Sequence, residues 1–293
     1  MELFGIPTAM LGSQLLIGLI NGSFYAILSL GLAIIFGLLN IINFSHGAMY
    51  MLGAFVAWIG LTHFEVGYWT SLLLAPLLVG LLGVVLERTM LKQLYKLDHL
   101  YGLLLTFGLA LIIEGVFRDQ FGVSGEGYAV PDALSGLIPL GFMNLPLYRG
   151  WVVVAALSVC FGTWYMIEKT KLGAYLRAGT ENPQIVQALG INVPMLITFT
   201  YGFGVALAAF AGVLAAPVFQ VNPLMGSNLI IVVFAVVVIG GMGSIMGSIL
   251  TGLGLGLIEG VTKVVYPEAS SIVVFAIMIL VLLVRPAGLF GKS

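Results

Sequence analysis

Charge is scarce in this 293-residue sequence: Asp, Glu, Lys and Arg make up 8% of it, against about 25% in a soluble domain. So few charges cannot cover a globule in water. The net charge of −1 leaves no basic patch for nucleic acid. The single cysteine, Cys160, excludes an internal disulfide and reads as a small core residue inside the apolar run VVVAALSVCFGTWYM. The three histidines, His46, His63 and His99, lie far apart, and no cluster of His, Cys and carboxylates has metal-ligand spacing. No metal or other cofactor is therefore expected. HExxH, GxSxG and paired intramembrane aspartates are all missing, which argues against an intramembrane enzyme. No Lys or Arg stands in the opening MELFGIPTAM, so the first apolar run is expected to be a retained membrane helix and not a signal peptide.

What is abundant is oil. Hydrophobic residues make up 60% of the sequence, and mean hydropathy is +1.15. The apolar runs do not alternate with polar residues as the strands of a membrane barrel would. The expected fold is an all-α integral membrane protein. It is a polytopic helical bundle of about 8–10 transmembrane segments with broken or re-entrant helices, forming a single transmembrane domain over residues 1–293. Spans fall near 14–37, 45–62, 69–90, 100–117, 151–168, 195–217, 228–241, 244–262 and 270–285. With the 169–194 loop cytoplasmic, Arg88, Lys92, Lys96, Lys169, Lys171, Arg177, Arg285 and Lys292 lie inside, and Arg118, Arg149 and Lys263 outside. That bias obeys the positive-inside rule. Residues 118–149, with Pro131, Pro139 and Pro146, form an external cap.

Four polar residues interrupt the stretch NIINFSHG: Asn40, Asn43, Ser45 and His46. In lipid an unsatisfied polar group costs several kcal/mol. A helix break between residues 38 and 46 is expected, with a new helix starting near Ser45. Two readings stand. The break is a turn capped by Asn43 or Ser45, or it lines a translocation route, as broken helices do in transporters. His46 reads as a polar anchor. The block IGGMGSIMG places Gly240, Gly241 and Gly243 close together, which points to a hinge or a tight crossing. Gly252, Gly256 and Gly260 recur every four residues and share a helix face for close packing, as do Gly18 and Gly22. Glu114 and Glu259 lie within apolar runs. Each precedes a cation by four residues, Arg118 and Lys263, so pairing is the preferred reading over a role at the external mouth.

The 169–194 loop reads KTKLGAYLRAGTENPQIVQALGINVP. Thr180 is placed to cap a helix, with Glu181 and Pro183 in its first turn. Ile185, Val186 and Leu189 would form an apolar stripe, and Gly190 would end the helix. Such a helix is a connector, an element resting on headgroups, or a surface offered to a motor.

Taken together, NGSFYAILSLGLAIIFG (21–37), INFSHGAMYMLGAF (42–55), LRAGTENPQIVQALGIN (176–192), VNPLMG (221–226), VVVIGGMGSIMGSILTGLGLGLIEG (236–260) and LLVRPAGLFG (282–291) resemble the branched-chain amino acid type of ABC importer permease (LivH/LivM-like). The stretches occur in the family's order along nearly the whole chain. The resemblance implies pairing with a second, similar or identical permease. It implies two cytoplasmic ATP-binding subunits, a periplasmic or extracellular substrate-binding protein, and a bacterial-type cytoplasmic (inner) membrane. It also implies that the loop helix is the coupling helix, with Glu181, Asn182, Ala188, Leu189 and Gly190 matching its core. Two positions depart from the family: Ala48, where Glu or Gln is frequent, and Met246, where Pro is frequent. The closing AGLFGKS only imitates a phosphate loop, since Pro286 stands where the first glycine belongs. ATP is therefore expected on other subunits. The expected function is passage of branched-chain amino acids or related small polar solutes. The alternative is a secondary transporter or channel driven by an ion gradient, with Glu114 and Glu259 as its carboxylates.

Overall fold

The computed structural model describes residues 2–3, 6–39, 42–95 and 97–291. Asn40 lies outside them. The helices are α1 (Thr8–Leu39), α2 (Ser45–Phe64), α3 (Tyr68–Leu86), a π-turn (Glu87–Leu91), α4 (Lys92–Leu94) and α5 (His99–Phe121). After them come α6 (Leu147–Lys169), α7 (Lys171–Glu181), α8 (Pro183–Ala188), α9 (Val193–Ala215), α10 (Met225–Gly240), α11 (Ile245–Val265) and α12 (Val273–Val284). Counting α3 through α4 as one, seven helices among the described residues are long and apolar enough to cross a membrane, and α10 and α12 are shorter apolar helices. The protein is a multi-pass helical membrane protein, and each expected span overlaps one of these helices. Among the described residues, strand is confined to two short antiparallel pairs, Glu2–Leu3 with Ile6–Pro7 and Leu137–Pro139 with Asn144–Pro146. The second pair is a hairpin within residues 118–149, which the sequence reading treated as loop.

Side chains start several helices. Asp98 accepts from the Leu100 N–H, Asn182 from Ile185, Asn192 from Met195 and Ser244 from Gly247. Each satisfies one of the amide donors that a helix start leaves unpaired.

The chain divides into two compact units: Met1–Ser29, Ala129–Cys160 and Val232–Ser293 form one, and Leu30–Tyr128 with Phe161–Ile231 form the other. In the first, α1 and α11 cross through small residues. A Cβ on Gly18 would lie 2.5 Å from the Gly256 carbonyl oxygen, and one on Gly252 would lie 2.6 Å from the Ala26 nitrogen. Backbone-to-backbone approach of this kind maximises dispersion contact in lipid, where apolar burial by itself drives little association. Glu259 pairs with Lys263 at 2.6 Å and accepts from the Tyr25 hydroxyl at 2.8 Å.

In the second unit α9 is the central element. Gly53 of α2 faces Ala209, Gly212 faces Tyr50 and Ala54, and Gly80 of α3 faces Gly202 and Ala206. Gly31 of α1 faces Gly204 across a 2.7 Å Cβ-to-carbonyl gap. Aromatic rings close the far end of α2, with Phe55 4.8 Å from Phe117 and 5.1 Å from Phe121, centroid to centroid. Glu114 pairs with Arg118 at 2.6 Å.

Candidate functional site

The break between α1 and α2 is built from residues that cannot stay helical cheaply. α1 stops at Leu39 and α2 starts at Ser45. The cap is neither Asn43 nor Ser45: Phe44 holds that position and makes no side-chain cap bond. The polar side chains turn inward instead. Asn43, Ser45 and His46 are all fully buried, and Ser45 Oγ donates to Asn43 Oδ1 at 2.6 Å. Thr106 of α5 takes over the role of the missing helical partners. Its hydroxyl accepts from the Phe44 N–H at 3.2 Å and donates to the Ile42 carbonyl at 3.1 Å. The His46 ring packs against Gly31, where a Cβ would come within 2.9 Å of it. Thr106 was missed because a lone Thr in an apolar helix carries no sign that its hydroxyl serves another segment.

The break is deep. The Tyr201 hydroxyl of α9 is buried close to Ser45 and Asn43, without a hydrogen bond to either. Tyr201 stands eight residues on from Val193, where α9 begins. At 1.5 Å per residue this puts the first turn of α2 about 12 Å inside the span. The start of α10 lies beside it, since a Cβ on Gly47 would sit 2.7 Å from the Gly226 carbonyl oxygen. A recess opens here, lined by Phe44, Ala48, Met51, Phe107, Ser227 and Glu114 among others. Ala48 is on its wall, so a longer side chain at that position would enter it.

The 169–194 loop folds as an elbow of two helices. α7 turns back on the end of α6, and Gly173 permits the contact because any Cβ there would collide with the Ile167 carbonyl. Arg177 donates to that same carbonyl at 3.1 Å. Thr180 does not cap the next helix. It lies in the last turn of α7, where its hydroxyl donates to the Arg177 carbonyl at 2.8 Å, and Glu181 ends α7 instead of opening α8. Asn182 is the cap of α8, with Pro183 directly after it. A Schellman end closes the helix: Ile191 N–H to the Val186 carbonyl at 3.3 Å, and Gly190 N–H to Gln187 at 2.9 Å. Gly190 sits at φ +84°, the left-handed conformation such an end requires. Val186 is buried, whereas Ile185 is 59% exposed and Leu189 74% exposed. Glu181, Asn182 and Ala188 are exposed too. The expected three-residue stripe is thus split: Val186 anchors the elbow and Ile185 with Leu189 faces outward.

Gly240 ends α10, and Gly241 and Gly243 lie in the turn to α11 at φ +100° and +87°. Residues 285–291 fold back over this turn. The Leu289 and Phe290 N–H groups donate to the Ile239 and Gly240 carbonyls at 2.8 and 3.1 Å. The backbones of Gly241 and Gly288 touch, with room for no side chain at either. The geometry is that of a tight crossing. The AGLFG stretch that imitates a phosphate loop is the clamp over it.

Sequence reading also passed over Glu87. It is buried, and it accepts from the Tyr95 hydroxyl at 2.6 Å and the Thr198 hydroxyl at 2.7 Å. Burial, and then the neighbouring Glu87 carboxylate, pushes the Tyr95 hydroxyl above the ordinary tyrosine pKa, so it stays protonated as a donor. The signal was present: Val79, Gly80, Gly83, Glu87 and Leu91 follow the spacing of one helix face, and all are buried. Among the described residues no group of His, Cys, Asp and Glu is placed to hold a metal ion.

Residues 14–282 match the family described as branched-chain amino acid transport system, permease component. The sequence is 32% identical to the high-affinity branched-chain amino acid transport system permease protein BraD of Pseudomonas aeruginosa, over 95% of each chain. It is 28% identical to the corresponding permease protein LivH of Escherichia coli K12, again over 95% of each. Against LivM of the same organism it is 25% identical, over 92% of this chain and 68% of LivM. Among solved structures, PsaBC from Streptococcus pneumoniae in complex with Fab superposes with a TM-score of 0.50 at 12% identity, covering 94% of this chain and 92% of that one. That likeness bears on the fold alone.

Proposed function

Because the chain belongs to the family of branched-chain amino acid transport permease components, we propose that it is the membrane permease subunit of an ATP-driven importer. Its solutes are branched-chain amino acids or related small polar molecules. It works with a second permease, two cytoplasmic ATP-binding subunits and an external substrate-binding protein, in a bacterial-type cytoplasmic membrane. The likeness to both LivH and LivM of one organism favours a partner that is similar and not identical.

The observation that carries the reading is the α7–α8 elbow. A helix of six residues is too short to be stable by itself, yet this one is capped at both ends and anchored by Val186. It holds two large apolar side chains, Ile185 and Leu189, in the open. That is the form of a docking knob for a cytoplasmic subunit. Motor closure pushes the elbow, α9 follows directly, and the break at Asn43, Ser45 and His46 admits the change. The glycine turn at Gly240, Gly241 and Gly243 acts as a fixed pivot beneath its clamp.

The test is to purify the chain with its co-expressed neighbours and reconstitute it in liposomes. ATP-dependent uptake that needs the binding protein supports the reading. Uptake by this chain alone under an ion gradient, without ATP, overturns it. Within the working assembly, Gly190→Val forces a β-branched residue into left-handed backbone at a cost of about 1–2 kcal/mol. The expected result is a frayed α8 and ATP hydrolysis no longer matched to uptake. Wild-type uptake per ATP in that variant removes the elbow from the mechanism.

A further inference from the structure

A buried carboxylate needs a reason. Glu87 occupies a helix face otherwise given to packing, between Gly83 and Leu91. Replacing a buried polar cluster with apolar groups of the same shape is often neutral or stabilising. Stability therefore does not explain a carboxylate here. What a hydrogen bond adds is direction: a methyl contact lets two helices slide, whereas a bond from one helix to a carboxylate that its own segment holds in place fixes their register. Glu87 sits in the π-turn that follows α3, a feature frequent at functional sites. Its two oxygens are held by different elements, Oε1 by Tyr95 beyond α4 and Oε2 by Thr198 on α9.

The position of Thr198 gives the bond its consequence. α9 starts four residues after Leu189, behind the Asn192 cap, so elbow and helix share little slack. Thr198 and Tyr201 are three apart and lie on one face of α9. Tyr201 in turn packs close to Ser45 and Asn43 at the break, its buried hydroxyl making no hydrogen bond there. Glu87 thus ties α3 to α9 between the elbow and the break.

We propose that Glu87 is a positioning residue for transport: oriented by Tyr95 on its own segment, it yokes α3 to α9 through Thr198, so that displacement of the α7–α8 elbow reaches the Asn43–Ser45 break as one movement. This rests on the importer reading above. Without the yoke α9 slips along α3 and part of the stroke is lost.

The experiment compares Glu87→Leu, Thr198→Val and Tyr95→Phe with Glu87→Gln and Thr198→Ser in the fully assembled, reconstituted importer. The readout is solute imported per ATP hydrolysed, with thermal stability of each purified complex measured alongside. The apolar variants are expected to lower the ratio about tenfold or more, a normal size for coupling between sites. The Gln and Ser variants keep groups that exchange hydrogen bonds with the hydroxyls, and are expected to restore it. Thr198→Val is nearly isosteric, so it reports even where Glu87→Leu fails to assemble. A wild-type ratio in stable Thr198→Val and Tyr95→Phe complexes overturns the yoke and leaves the importer reading standing. A ratio that tracks only thermal stability, with no rescue by Gln or Ser, reduces Glu87 to a structural residue and also overturns it. Absence of ATP-driven uptake in the wild type removes the importer reading and the yoke together.

Discussion

Gly212→Ala is expected to abolish the native α2–α9 crossing, and Gly108→Ala to stabilise the protein. The two substitutions add the same methyl group. At Gly212 the new Cβ meets the Tyr50 carbonyl and lies 2.9 Å from the Ala54 nitrogen. Both obstacles are helix backbone, so no rotamer change can make room. The helices must separate, and dispersion contact is lost along the whole face. The cost is expected to be at or above the upper end of the about 1–3 kcal/mol typical of overpacking. At Gly108, in α5, a Cβ meets nothing within 4 Å. The gain in helix propensity, up to about 1 kcal/mol, is then uncompensated. Thermal melting of the tagged protein in detergent, followed by size-exclusion fluorescence, reads both signs. Equal effects at the two positions refute the packing account of the second unit.

The second large effect concerns the elbow. Leu189→Asp alters a side chain that is 74% exposed. Folding stability should move by no more than about 0.5 kcal/mol, as for other surface changes. Under the proposed function, however, Leu189 and Ile185 enter a partner's pocket. Losing an apolar anchor of that kind typically costs about 2 kcal/mol or more, roughly thirtyfold in affinity. The ATP-binding subunits should no longer co-purify with the variant, and uptake should fall in proportion. Full retention of those subunits by a folded Leu189→Asp protein places the docking surface elsewhere.

Much of this architecture is legible in the residues, because in a membrane composition and spacing do most of the specifying. The apolar runs locate the helices, and NIINFSHG locates the break to within a residue at Ser45. The four-residue spacing of Gly252, Gly256 and Gly260 identifies the face along which α11 meets α1. The failures share a cause: they depend on which of two equivalent local choices a distant partner selects. Thr180 and Asn182 are both good caps, and Arg177 fastening α7 to Ile167 lets that helix run on to Glu181, leaving Asn182 to start the next. Ile185 and Val186 are equally apolar, and the packing of the elbow decides which is buried. Glu87 was passed over, because its donors lie 8 and 111 residues away in sequence. The 285–291 clamp had no local signature at all, since its hydrogen bonds go to Ile239 and Gly240.

The discontinuity of the two units has a consequence in time. Gly18 waits for Gly256, its partner in the α1–α11 crossing. At about 5–20 residues per second, the 238 residues from the one after Gly18 up to Gly256 itself take roughly 12–48 s to synthesise. The unit built from residues 30–128 and 161–231 has all its segments before Val232 emerges. The other stays open until the ribosome has delivered residues 285–291, which clamp the glycine turn. Through that interval the small-residue groove of α1 is exposed within a newborn chain, and lipid or an insertion chaperone must occupy it until α11 arrives.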